Sequence, residues 1–166
     1  MPTLIAFPLF GLLVVLQSAI VSRIQLLHGS ADLVMLAVIA WALQRRVTTV
    51  WQWSVIGGIL ANITTALPLG VPLAGYALST GLALVVRQRV WRSPILAMFI
   101  ITFLGTLITH AISVTTLRLA GDPIPLLEAF NLVTLPSVFL NMLLAIPLYA
   151  MVSDLADWLY PEELEV

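Results

Sequence analysis

The sequence predicts an all-α polytopic membrane protein, six transmembrane helices forming one integral membrane domain over residues 1–166. Three observations predict it. Of the 166 residues, 61% are hydrophobic and only 9% charged, and the mean hydropathy is +1.09, a composition suited to lipid rather than water. Charged and turn-forming residues divide the chain into six apolar segments. Between Val47 and Val86 there is no charge at all, a stretch too long for one crossing of roughly 20 residues and sufficient for two.

The first segment, residues 3–22, meets its first charge only at Arg23. The basic flank that precedes a cleavable signal is missing, so the run reads as a retained span. The second, 33–44, is short, roughly 18 Å at 1.5 Å per residue. It is expected to begin earlier, taking in Asp32, or to sit where the bilayer is thinned. The third and fourth, 47–66 and 73–86, flank "LPLGVPL", where Pro68, Gly70 and Pro72 stop one helix and re-aim the chain. A tight uncharged hairpin is expected there. The fifth and sixth segments cover 95–117 and 132–153.

Arginine placement sets the orientation. Arg45, Arg46, Arg87, Arg89 and Arg92 fall in the loops after segments two and four, and only Arg23 and Arg118 fall elsewhere. Basic loops stay in the cytoplasm, which puts both termini there and makes this a multi-pass protein. Trp41, Trp51, Trp53, Trp91 and Trp158 fall at the same boundary, where indole rings favour the headgroup region. The five arginines are expected to fix topology and contact anionic lipid; a cytosolic protein partner is the alternative. No soluble basic face is available for nucleic acid.

Membrane helices associate through small residues and through polar side chains that need partners. Segment five carries Thr102, Thr106, Thr109, Ser113 and Thr116 at helical spacing, with Gly105 and His110 alongside. Segment three carries Ser54, Gly58, Ala61 and Thr65, with Asn62 beside them. Segment six offers Thr134, Ser137, Asn141 and Ala145; segment four offers Gly75, Ser79 and Thr80; segment one offers Gly11, Ser18 and Ser22. These stripes are expected to line a shared interior, as plain helix packing or as a polar cavity for a ligand or partner. Asn62, Thr65, His110, Ser113 and Asn131 lean toward the predicted outer half, so such a cavity would open outward.

Chemistry finds little to stand on. The chain has no cysteine and no lysine, which excludes thiolate sites, disulfides, a P-loop lysine and a Schiff base. There is no G-x-S-x-G elbow, and His28 and His110 lack metal-ligand spacing. No cofactor and no enzymatic activity are expected. Asp32, at the mouth of segment two, is expected to cap that helix or pair with Arg23, ahead of a transport or binding role. His110 is expected to be a hydrogen-bonded packing residue rather than a proton relay, and His28 a solvated loop residue.

Several stretches together resemble the MreD family of bacterial rod shape-determining proteins. "LQSAIVSRIQLLHGSADLVMLAVIAWAL" (16–43) is similar to that family's first loop and second helix, including Asp32–Leu33. "GGILANITTALPLGVPLAGYAL" (57–78) resembles its glycine-led helix followed by P-L-G, and "RVWRSP" (89–94), "LPSVFLNMLLAIPLY" (135–149) and "WLYPEELEV" (158–166) resemble later landmarks. The likeness runs through nearly the whole chain in order. Two departures stand out: Asn62 occupies a position where the family often has an acid, and Ala31 one where many members have proline. A role that needs a carboxylate at position 62 is therefore not carried over.

The resemblance implies a non-enzymatic scaffold of the cell-elongation machinery in the bacterial cytoplasmic membrane. Its implied partners are a bitopic MreC-like protein, the actin-like MreB and the synthases of lateral peptidoglycan, with membrane lipid around it and homodimerisation left open. It also implies a fold like the substrate-binding subunits of energy-coupling-factor transporters. Asp32, Gly58, Asn62, Thr65, His110, Ser113 and Asn141 are the candidate partner-facing or cavity-lining residues, with Gly58 on the expected docking face. The rival reading is a vitamin-binding subunit of such a transporter, using Asn62, His110 and Asn141 as contacts. Segment one lacks the alanine-spaced docking motif of those subunits. A proton-coupled carrier would want a mid-span carboxylate, and segments three, four and five contain no acid.

Overall fold

The computed structural model describes residues 2–19, 27–89 and 93–161. Arg23, Ser22, Trp91 and Arg92 lie outside the described residues, and with them the expected Asp32–Arg23 pairing. Among the described residues the chain is helical, without strands: α1 (Pro2–Ala19), α2 (Leu33–Leu43), α3 (Val50–Thr64), α4 (Val71–Arg89), α5 (Pro94–Leu119), α6 (Leu126–Ala129) and α7 (Leu135–Leu159). Residues Phe130–Thr134 join α6 to α7 as a π-helical stretch. Two helices, Pro94–Leu119 and the continuous run Leu126–Leu159, are long and apolar enough to cross a membrane.

The shortest segment sits at the centre. Helix α2 is apolar on every side, and all eleven of its residues are buried. It packs against α1, α3, α4, α5 and α7, so no side of it is left to be polar. At 1.5 Å per residue it is about 17 Å long, well short of a hydrocarbon core of about 30 Å. It begins at Leu33, not before Asp32; the Asp32 carboxylate accepts the Met35 N–H at 2.9 Å and caps it.

Local chemistry explains the helix ends. Gly70 has φ +91°, a conformation that costs glycine little. Its N–H donates to Asn62 Oδ1 at 3.0 Å, and its carbonyl accepts the Ala74 N–H at 2.9 Å. The expected hairpin at Pro68–Gly70–Pro72 is thus present, with Pro72 in the first turn of α4. Helix α5 closes at Gly121, φ +103°. There the Gly121 N–H donates to Arg118 O and the Asp122 N–H to Leu117 O, the double bond of a left-handed C-cap. The sixth predicted segment starts earlier than residue 132, because the wider π turn lets α6 run into α7 without a break.

The small-residue stripes face inward in four helices. Ser54, Gly58 and Ala61 on α3, Gly75, Ser79 and Thr80 on α4, Thr102, Gly105, Thr106 and Thr109 on α5, and Ser137, Asn141 and Ala145 on α7 are buried. Helices α4 and α5 interlock reciprocally. A Cβ on Gly75 would lie 2.6 Å from Thr109 Oγ1, and one on Gly105 would lie 2.7 Å from Ser79 Oγ. Close approach of backbones is what small residues make available.

Helix α1 departs from expectation. Its buried face is Ala6, Phe10 and Leu13, whereas Ser18 is exposed and nothing lies within 4 Å of a Cβ built on Gly11. Phe10 meets Trp53 edge-on at 5.3 Å, and this aromatic contact attaches α1 to α3 where a small-residue seam was expected. The tryptophan expectation needs a second correction. Trp51 and Trp158 are exposed, but Trp41 and Trp53 are fully buried and stacked with ring centroids 3.7 Å apart, nearly parallel at 10°. Large rings at the centre of a packed body gain more from mutual contact than from an interface. Outside, α3 presents Trp51, Val55, Ile59 and Ile63, and α7 presents Leu135, Phe139, Leu143 and Ile146, all exposed.

Candidate functional site

The polar groups converge at the end of the bundle where the 27–32 loop meets α1, α4, α5 and α7. Gly29 lets the loop lie against the start of α7: a Cβ there would fall 2.6 Å from the Ser137 nitrogen. The His28 N–H donates to Leu132 O at 3.0 Å and the Ser30 N–H to Ser137 Oγ at 3.1 Å. Asp32 is the hub. Its backbone N–H donates to Asn141 Oδ1 at 2.7 Å, and Asn141 Nδ2 donates to Thr106 Oγ1 at 3.0 Å. Tyr76 Oη donates to the Asp32 carboxylate, lying 2.7 Å from each oxygen. The Leu33 N–H, next in the chain, donates to Gln17 Oε1 at 2.9 Å.

Five elements are therefore tied through one acid. The carboxyl group accepts from the Met35 N–H and from the Tyr76 hydroxyl. Beside it opens a cavity of about 370 Å³, lined by Gln17, Ser30, Asp32, Thr64, Thr65, Tyr76 and Thr109 among others. Of the predicted candidates, Asp32 and Thr65 line this cavity. Asn141 lies behind it, buried within the hydrogen-bond network. Tyr76 and Gln17 went unnoticed in the sequence, because neither stands in a small-residue stripe.

The other candidates lie apart. His110 Nδ1 lies 3.2 Å from Thr134 Oγ1 at the π-helical stretch. His110 and Ser113 line a separate, mainly apolar hollow of about 310 Å³. Asn62 turns away to hold the Gly70 N–H. Gly58 is not on an outer face: a Cβ there would lie 2.8 Å from the Leu73 backbone Cα, so the residue belongs to the α3–α4 contact. It cannot serve as the docking face expected of it. Among the described residues Asn62, His110 and Asn141 do not line a common cavity.

At the opposite end the arginines gather. Arg87 Nη1 donates to the Gln44 carbonyl at the C-terminus of α2 at 2.7 Å, and Arg45 Nη2 lies 3.5 Å from the Arg87 carbonyl. Arg46 pairs with Asp157 at 3.3 Å, and Arg89 is exposed. Arg45, Arg46 and Arg87 line a cleft of about 280 Å³ with Gln44, Tyr149, Ser153 and Asp157.

Among the described residues, fold and site together define an all-helical protein with two helices long and apolar enough to span a membrane, built around one buried apolar helix and one hydrogen-bonded acid. Compared with protein-family models, with curated proteins and with solved structures, the chain matches none.

Proposed function

We propose that this protein is an MreD-like, non-enzymatic scaffold of the bacterial cell-elongation machinery, crossing the cytoplasmic membrane six times with both termini inside. Its fold in this reading is that of the substrate-binding subunits of energy-coupling-factor transporters, turned to protein–protein assembly. The observation that carries the proposal is how the polar residues are used. Asp32, Tyr76, Asn141 and Thr106 bond to one another and to backbone, tying α2, α4, α5 and α7 together, while the outer faces of α3 and α7 are continuous apolar surface. That is the economy of a rigid body in lipid, where interior polar groups hold helices together.

In this reading the transmembrane helix of an MreC-like partner docks on α1. Leu4, Phe7 and Val15 are exposed around Gly11 at helical spacing, and no side chain of the described residues fills the notch at Gly11. Small residues on lipid-facing helices favour close approach of another helix. MreB and the wall synthases would associate through the arginine loops and through that partner. The rival vitamin-binding role would have to use the Gln17, Asp32, Thr65 and Tyr76 cavity.

The test is a mild-detergent pull-down of the tagged protein from its native membranes, with partners identified by mass spectrometry. Recovery of a single-span MreC-like protein with wall synthases, reduced severalfold by Gly11→Leu while membrane insertion is retained, is the expected result. Recovery of paired ATPases with a multi-span coupling subunit overturns the scaffold reading.

A further inference from the structure

We propose that the flank of α5 beside α6 seats one zwitterionic phospholipid with a primary amine, of the phosphatidylethanolamine class. An acyl chain fills the hollow there, and the headgroup rests on the charges above it. The inference rests on the membrane-spanning reading given above and not on the partners assigned to it. Helix α5 ends at Leu119, and the chain returns through residues 120–125 before α6 and the π-helical stretch run into α7. Helix α6 makes little contact with α5, and a hollow of about 460 Å³ lies between them. Small-molecule sites run from about 300 to 1,000 Å³.

The walls of the hollow are mainly apolar. Leu107, Ala111 and Val114 come from α5, and Leu126, Ala129 and Phe130 from the opposite side. His110 and Thr134 are turned toward each other, and no charged side chain of the described residues lines the space. Ala111, Leu126 and Phe130 are exposed, so the hollow opens on the flank of the bundle rather than into its centre. An empty hollow forfeits the dispersion contacts of its lining. A hydrocarbon chain from the surrounding lipid restores them without bringing a charge inside.

Charge at the mouth decides which lipid. Leu107, Ala111, Val114 and Arg118 follow at steps of four, three and four, so they share one face of α5. Arg118 therefore stands over the hollow, about 6 Å beyond Val114 along the axis. It is exposed, and among the described residues it pairs with no acid. Guanidinium matches the paired oxygens of phosphate in geometry as well as charge. Thr115, also in the lining, brings a hydroxyl about 4.5 Å below Arg118 along the axis. Two acids lie at the same end. The Asp122 N–H donates to Leu117 O, which folds the loop back over the last turn of α5. Glu128 stands on α6 two positions after Leu126 of the lining. Both acids are exposed. One cation beside two acids disfavours a headgroup of net negative charge and complements one that carries a phosphate and an ammonium. A primary ammonium also donates hydrogen bonds to carboxylates, which a quaternary one lacks the protons to do.

The experiment uses the full-length protein and tests the membrane reading first. Protein that stays in carbonate-washed membranes upholds the spanning reading; release into the supernatant overturns that reading and the lipid seat with it. Membrane-retained protein is then delipidated in a mild non-ionic detergent and offered phosphatidylethanolamine, phosphatidylglycerol and phosphatidylcholine at equal concentration in native mass spectrometry. Phosphatidylethanolamine is expected to be retained over the other two. Ala111→Leu and Ala111→Trp, which fill the hollow from an exposed position, should lower its retention severalfold, the larger side chain more. Arg118→Gln should lower it too, and Glu128→Gln should narrow the preference over phosphatidylglycerol. Ile59→Trp, on the outer face of α3, should leave retention unchanged, with helical circular dichroism kept in every variant. Equal retention of the three lipids by membrane-retained protein overturns the seat and leaves the membrane reading standing. Retention indifferent to both Ala111 variants, or lowered equally by Ile59→Trp, overturns it as well, because the lipid then coats the surface rather than occupying one hollow.

Discussion

Asp32 carries more of this structure than any other single residue. A carboxylate at a helix start is ordinary, but here the backbone of the same residue is gripped by Asn141, and the side chain is held by Tyr76 from α4. A hydrogen bond contributes about 0.5–1.5 kcal/mol net, and leaving one buried partner unsatisfied costs about 1–3 kcal/mol. Tyr76→Phe should therefore cost about 1–3 kcal/mol in a denaturant titration of the detergent-solubilised protein. Asp32→Ala should cost more, because it removes the acceptor of the Met35 N–H as well as that of Tyr76. The double variant should be little worse than the worse single one, because both remove the same bond. Strict additivity would show that the two side chains do not depend on each other. The acid itself was visible in the sequence as a cap; its tyrosine was not, since 44 residues separate them and nothing local marks the pair.

At the scale of the element, glycine position decides what a helix face is for. Gly58 and Gly11 look alike in sequence, each in an apolar helix, yet one meets the Leu73 backbone and the other meets nothing. Gly58→Ala should lower stability by about 1–3 kcal/mol, the range for overpacking a tight contact, and Gly58→Leu should sharply reduce the recovery of folded protein. Gly11→Ala should be neutral or slightly stabilising by the same unfolding measurement, because alanine favours helix over glycine. Equal effects at the two positions would contradict the α3–α4 packing described above. The inward stripes of α5 and α7 were legible because a repeat of three and four residues fixes which side chains share a face. Helix α2 offered no such signal. It is apolar all round, and a helix of that kind belongs to the centre or to the lipid with equal right until its neighbours are known.

For the whole molecule, the proposed orientation makes a prediction that the absence of cysteine renders easy to test. Single cysteines at exposed positions, Leu69→Cys and Asp122→Cys at one end and Thr48→Cys and Gln88→Cys at the other, report which side each end faces. A membrane-impermeant maleimide should label the first two in intact cells and the second two only after permeabilisation. The reverse pattern would invert the topology, and labelling of all four in intact cells would end the reading of a bundle that crosses the membrane. By itself the sequence determined the helical class, the hairpin at Gly70 and the polar stripes of α3, α4, α5 and α7; it expected Arg87 and Arg89 in a loop, whereas α4 continues through both and carries them in its last turn. Composition, turn chemistry and helical period are local properties, and each of these features follows from them. Only the tertiary structure decided that Trp41 and Trp53 stack in the core, that α2 is the central helix, that Gly58 is internal, and that Arg45, Arg87 and Gln44 share one cleft. Those outcomes depend on which helices become neighbours, and contacts such as Asp32 to Asn141, 109 residues apart, arise from packing that no short stretch of chain encodes.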